Sequence, residues 1–144
     1  MDAHLTIAGH GWEARIAAAD GGGLAALRFR GRDVLVPVPE GARLGGPFGA
    51  FWMIPWANRL DGGRLGPHRL PLNREQDGTA IHGLSRDRPW RVAARGDGHA
   101  VLEQDVAAAP YRYRARLAMT AGEGGFAFDL AVTNAGEEPL PFGF

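Results

Sequence analysis

Residues 111–134 read YRYRARLAMTAGEGGFAFDLAVTN, and their spacing decides the fold class. In the first ten, Tyr111, Tyr113, Ala115, Leu117 and Met119 fall on one side of an extended chain, with Arg112, Arg114 and Arg116 on the other. After AGEGG at 121–125, Phe126, Phe128, Leu130 and Val132 again share a side, opposite Ala127, Asp129, Ala131 and Thr133. Side chains alternate across a strand with a period of two, so both runs are expected to be strands with one buried face. The glycine-rich connection supplies turn residues and makes the two an antiparallel hairpin. The three arginines then form a solvated outer face rather than a grip for an acidic ligand.

Working outward, the same reading extends less cleanly to the earlier chain. HLTIAG and WEARIAAAD form an expected first hairpin, and LAALRFRGRDVLVP an expected strand, turn and short strand. GGRLGPHRLPL suggests a small hairpin, and WRVAAR with HAVLEQDV another pair. Ala17 to Ala19 favour helix locally, but Gly21 to Gly23 end it at once. The 22 glycines and 10 prolines break the chain into short segments, as turns between strands do. The expectation is a single all-β domain over 1–144, an antiparallel β-sandwich built from consecutive pairs. Residues 37–62 are the exception: rich in Pro, Gly and Trp and without periodicity, they form a candidate functional loop.

Composition excludes several chemistries. Sixteen basic and sixteen acidic side chains cancel, so the basic excess that accompanies nucleic-acid binding is missing. No run of about 18 apolar residues is present, so no membrane partner is expected. The opening MDAHLTIAGHGWEARI lacks the zones of a signal peptide, and a cytoplasmic protein is the default. With no cysteine there is no thiolate nucleophile or disulfide, and with every basic residue an arginine there is no lysine for a Schiff base. Ser85, the only serine, lies in HGLSRDR, outside the setting of a hydrolase nucleophile. GGGLA at 21–25 lacks both the helix and the Lys-Ser/Thr of a phosphate loop and reads as a turn.

Histidine, carboxylate, tyrosine and arginine remain. His4, His10 and His99 border expected strands and turns, and His68 sits at an expected hairpin turn. No histidine pair has metal-site spacing, so no metal is expected. Asp61 and Asp87 lie near the loops of interest, but no spacing identifies a carboxylate pair. His82, in AIHGLSRDRPW, stands open between a structural histidine and a site group. FWMIPWANRLDGG, at 51–63, sets Asn58 and Arg59 among two tryptophans, a methionine and a phenylalanine. That is the make-up of a small-molecule pocket, and equally of a packed loop with a partly exposed arginine. Asn brings donor and acceptor together, Arg a planar fork of donors, and sugar hydroxyls need both.

PWANRLDGGRLGPHRLPLN followed by AIHGLSRDRPW resembles the aldose 1-epimerase (galactose mutarotase) family. The likeness lies in an Asn-Arg element, a Gly-Arg hairpin ending in Leu-Pro, and a His-Gly element with Trp soon after. It extends over essentially the whole chain. The resemblance implies a galactose mutarotase-like supersandwich and interconversion of the α and β anomers of a free aldose, without a cofactor. It implies that Asn58, Arg59 and His82 bind the sugar, a hexose or hexose phosphate, and that His82 also has a catalytic role near the ring oxygen. Family members are longer, and their second histidine follows a PFGFG-x-HP type of element. This sequence ends in PLPFGF, so the chain is expected to be the N-terminal half, short of the acid and base and of a C-terminal partner half. The alternative is a module that holds a sugar or sugar phosphate without turning it over.

Overall fold

The computed structural model describes residues 4–143. β1 (Leu5–Gly9), β2 (Trp12–Ala17), β3 (Gly23–Phe29) and β4 (Arg32–Asp33) form one antiparallel sheet in chain order. β5 (Arg59–Asp61) pairs with β8 (Thr79–Ile81), and β6 (Arg64–Leu65) with β7 (His68–Arg69). β9 (Arg91–Arg95), β10 (His99–Ala108), β11 (Tyr111–Gly122) and β12 (Gly125–Asn134) form the second sheet, ordered β12-β11-β10-β9. Each hairpin expected from the sequence is present. Among the described residues no helix is long and apolar enough to cross a membrane.

The turns follow from local chemistry. Two-residue hairpin connections match strand twist when both central residues have positive φ, which glycine and few others accept. His10-Gly11 (φ 51° and 84°) joins β1 to β2, and Arg30-Gly31 (φ 49° and 77°) joins β3 to β4.

β1 and β2 pack across β10 and β11 to form the core. Ile7, Ile16 and Leu24 enter it from one sheet, and Leu102, Val106, Tyr111, Tyr113, Leu117 and Met119 from the other. Each fully buried aliphatic side chain contributes roughly 1.5–3 kcal/mol of transfer free energy. Arg112, Arg114 and Arg116 face solvent as expected, with Arg114 on Asp105 at 2.9 Å.

β12 departs from expectation. Phe126, Leu130 and Val132 are only half-buried, and Phe128 is 43% exposed. The reason is positional: β12 ends its sheet, and aromatic contacts on this face come from Trp12 on Phe126 (6.1 Å) and Trp52 on Phe128 (5.3 Å).

Residues 34–58 carry no strand, but they are tied down by main-chain bonds. Leu24 and Ala50 exchange two bonds of 2.8 and 3.0 Å, Val38 donates to Ala25 (2.8 Å), and Gly49 to Val36 (2.8 Å). The aperiodic stretch ends sooner than expected, because β5 takes residues 59–61.

Candidate functional site

The two motifs that stood apart in sequence meet along a short seam. β5 and β8 pair antiparallel, with Arg59 opposite Ile81 and Asp61 opposite Thr79. Just past the pair, the His82 amide donates to the Asn58 carbonyl at 2.8 Å. Asn58 and His82 both hold left-handed backbone, φ 59° and 62°. Asn accepts this conformation more readily than most residues, whereas histidine sits there at a cost of about 1–3 kcal/mol.

On its other side His82 is followed by Gly83, which bridges in parallel to Ile54. Gly83 has φ 76°, and a Cβ there would stand 2.1 Å from the Ile54 carbonyl oxygen, so no side chain fits. That oxygen accepts from the Leu84 amide (2.6 Å), the Ser85 amide (3.1 Å) and the Tyr113 hydroxyl (3.3 Å). Tyr113 also pairs with the buried Ser85 hydroxyl at 2.7 Å. Burial pushes the Tyr113 phenol up to about 12, against the opposing Ser85 hydrogen bond, so it keeps its proton at neutral pH. Trp56 Nε1 donates to Ala80 (3.3 Å), and Gln104 Nε2 to the carbonyls of Ser85 (3.3 Å) and Arg88 (3.1 Å). The segment IPWANR is thereby zipped to AIHGLS and anchored on β10 and β11.

The candidate side chains project from this seam. Arg59 Nη1 donates to Asn58 Oδ1 at 3.1 Å, and Arg59 Nε to Asp77 Oδ2 at 3.3 Å. Asp77 also accepts from Thr79 Oγ1 (2.5 Å) and Arg74 Nε (2.8 Å). The Thr79 hydroxyl, then Arg74 and Arg59, hold its carboxyl below the usual carboxylate range. His82 is half-buried, its ring 5.3 Å from Phe51, and Phe51 in turn carries the Arg86 guanidinium 4.4 Å from its centroid. Burial lowers the His82 pKa below 6.5, and Arg86, Arg59 and Arg74 lower it further against Asp87. Burial thus favours the neutral ring, and its Nδ1 is buried without a hydrogen-bond partner.

The structure thus brings Asn58, Arg59 and His82 together. The tryptophans of the expected pocket wall are engaged elsewhere: Trp56 is buried against Tyr111 (6.1 Å), and Trp52 donates to the Gly22 carbonyl (2.9 Å). Phe51 is the aromatic ring that meets the imidazole. A cleft of about 430 Å³ is lined by Trp56, Leu72, Asn73, Gly83, Leu84 and Arg88 among others, and none of the three residues lines it. They sit on a more open surface. Among the described residues no group of three His, Cys, Asp or Glu could hold a metal ion.

Sequence reasoning missed Asp77 and Asn73. Asn73 clamps β8 by accepting from the Ile81 amide (2.6 Å) and donating to its carbonyl (2.9 Å). In sequence both lie in LNREQDG, a polar cluster that any surface turn could carry.

The aldose 1-epimerase family model matches residues 4–144. Over 97 residues the chain is 31% identical to the uncharacterised protein YphB of Escherichia coli K12, covering 65% of this chain and 33% of YphB. Over 78 residues it is 36% identical to the uncharacterised YihR of the same organism, covering 51% of this chain and 25% of YihR. The crystal structure of an Escherichia coli K12 protein assigned provisionally as an aldose 1-epimerase superposes with a TM-score of 0.85 at 23% identity. It is matched over 96% of this chain and 48% of its own. A galactose mutarotase-like protein of Lactobacillus casei ATCC 334 gives a TM-score of 0.78 at 21% identity, over 96% and 47%. These likenesses establish the fold, and the chain spans about half of either solved structure.

Proposed function

We propose, from the premise that this chain belongs to the aldose 1-epimerase family, that the β5–β8 seam is the sugar-holding part of a mutarotase. The ligand is a free hexose or a hexose phosphate. Asn58 and Arg59 donate to sugar oxygens, and the neutral His82 imidazole polarises the ring region. The single observation that carries this reading is the seam itself: a three-residue pairing, extended by the His82–Asn58 main-chain bond, sets Asn58, Arg59 and His82 side by side.

Anomer exchange asks for more. A base must take the proton of the anomeric hydroxyl while an acid protonates the ring oxygen, so that the C–O bond of the ring breaks and re-forms after rotation. Asp77, the carboxylate bonded to the site arginine, is bound by three donors and held below its ordinary range, which makes it a poor base. The seam by itself therefore holds a sugar without supplying the base that anomer exchange needs. These 144 residues alone bind without turnover.

Two measurements test this. In an NMR titration, α-D-galactose or D-glucose shifts amide signals of the seam at millimolar concentration. Arg59→Ala weakens binding about tenfold, the size of one charge-assisted hydrogen bond. In polarimetry, mutarotation of the fresh α-anomer stays at the buffer rate. A flat titration removes the sugar reading, and a rate above buffer that His82→Ala abolishes removes the binding-only reading of this chain.

A further inference from the structure

We infer that Asp77 is the positioning residue of the seam: its carboxylate locks the Arg59 fork, and Arg59 in turn engages one lone pair of the Asn58 oxygen, so that the pair meets a ligand chiefly with N–H donors. This rests on the seam being a sugar site. It sharpens what that site can recognise.

The geometry runs inward from the fork. Arg59 spends Nε on Asp77 and one Nη1 proton on Asn58 Oδ1. Because Arg59 can only donate, the Asn58 atom facing it is the oxygen, and the Asn58 amide nitrogen is left to point at a ligand. What remains free on Arg59 is N–H as well. A sugar oxygen set against this pair is read through its lone pairs. A hydroxyl there directs its own proton away from Arg59, to the second lone pair of Asn58 Oδ1 or to another acceptor.

Asp77 is itself held from two sides. Thr79 Oγ1 and Arg74 Nε bind its carboxylate at 2.5 and 2.8 Å. Its backbone lies in a single 3-10 turn, Glu75–Asp77, closed by Gly78 with left-handed φ 68°. Arg74 and Thr79 exchange two main-chain bonds of 3.1 Å across the turn. The Arg59 and Asp77 side chains remain 45% and 35% exposed. An ion pair so exposed adds little to stability, so its consequence is the direction in which the fork points.

The test uses the 144-residue chain with three variants, Arg59→Ala, Asp77→Asn and the double substitution. The lock is read first without sugar: the Arg59 Nε–H resonance is slow to exchange in the wild type and becomes fast in Asp77→Asn. Binding of α-D-galactose is read second. Asp77→Asn weakens it about tenfold, and in the Arg59→Ala background the same change has no further effect, because Asp77 acts only through Arg59. Should Asp77→Asn lose the native amide spectrum, Asp77→Glu keeps the charge but misplaces it, and an intermediate loss of affinity is expected. Multiplicative effects in the double variant, or an Arg59 Nε–H that stays slow in Asp77→Asn, overturn the lock. A wild-type chain that binds sugar with a fast Nε–H also overturns the lock and leaves the sugar reading standing. A slow Nε–H with a flat sugar titration sinks the sugar reading, and the role of Asp77 in binding with it.

Discussion

The β10–β11 ladder and the β5–β8 seam are two ways of holding backbone together. The ladder runs ten residue pairs in unbroken register, from His99 opposite Thr120 to Ala108 opposite Tyr111. It is fastened by repetition: each second side chain goes into the core, and any one pair is replaceable in kind. The seam has three pairs, two left-handed non-glycine residues, and a glycine against which nothing larger fits. It is fastened by particular polar contacts, each made once. Burial supports the first and satisfied hydrogen bonding the second. Substitutions should therefore fail differently in the two places.

The largest effect is expected in the ladder. Leu117→Ala removes a fully buried side chain and should cost about 2–5 kcal/mol in urea unfolding, with seam amide shifts otherwise kept. A loss under 1 kcal/mol would mean the core is looser than the ladder implies. Next comes Tyr113→Phe, which keeps the ring and removes the hydroxyl shared by Ser85 and Ile54. It should cost about 1–3 kcal/mol by leaving a buried hydroxyl short of a partner. Its shift changes should concentrate at residues 54 and 82–85 rather than along β11. Changes spread evenly along β11 would erase the distinction between the regions.

A smaller effect follows from His82. Its pKa is lowered on folding, chiefly by burial, so the unfolded chain binds the proton more readily. The associated stability is complete above pH 6.5 and is lost as pH falls through the folded value. In denaturant midpoints taken from pH 7.5 down to 5.5, the wild type should lose more than His82→Asn, a replacement suited to left-handed backbone. Equal slopes would detach His82 from the seam's stability. Last, Arg114→Ala on the outer face should leave the melting temperature unchanged, since its partner Asp105 is equally exposed.

The same contrast explains how far the sequence could be read. Alternation over 111–134 is long enough to announce strands and their inward face, and β11 and β12 lie where it put them. It did not reveal that Phe128 would stay 43% exposed, because alternation marks a face and not what lies above it. Asn58, Arg59 and His82 were legible as a pair of motifs through family likeness. Their junction was not, since β5 and β8 have three residues each, too few for a period to show. Asp77 was less legible still. Asp61 and Asp87 drew attention by their nearness to the motifs, while the carboxylate that meets Arg59 comes from a polar turn 18 residues on.

One atom gives the seam a collective property. The Ile54 carbonyl oxygen takes three donors, two from the backbone that follows His82 and one from the core tyrosine. Such a knot cannot loosen one strand end at a time, because moving Ile54 releases Leu84, Ser85 and Tyr113 together. Amide protons of Leu84 and Ser85 should then exchange with deuterium in step, at one common opening free energy. A site built on that knot exists whole or not at all, and the population of the open form sets a ceiling on how much of the protein is competent to hold a ligand.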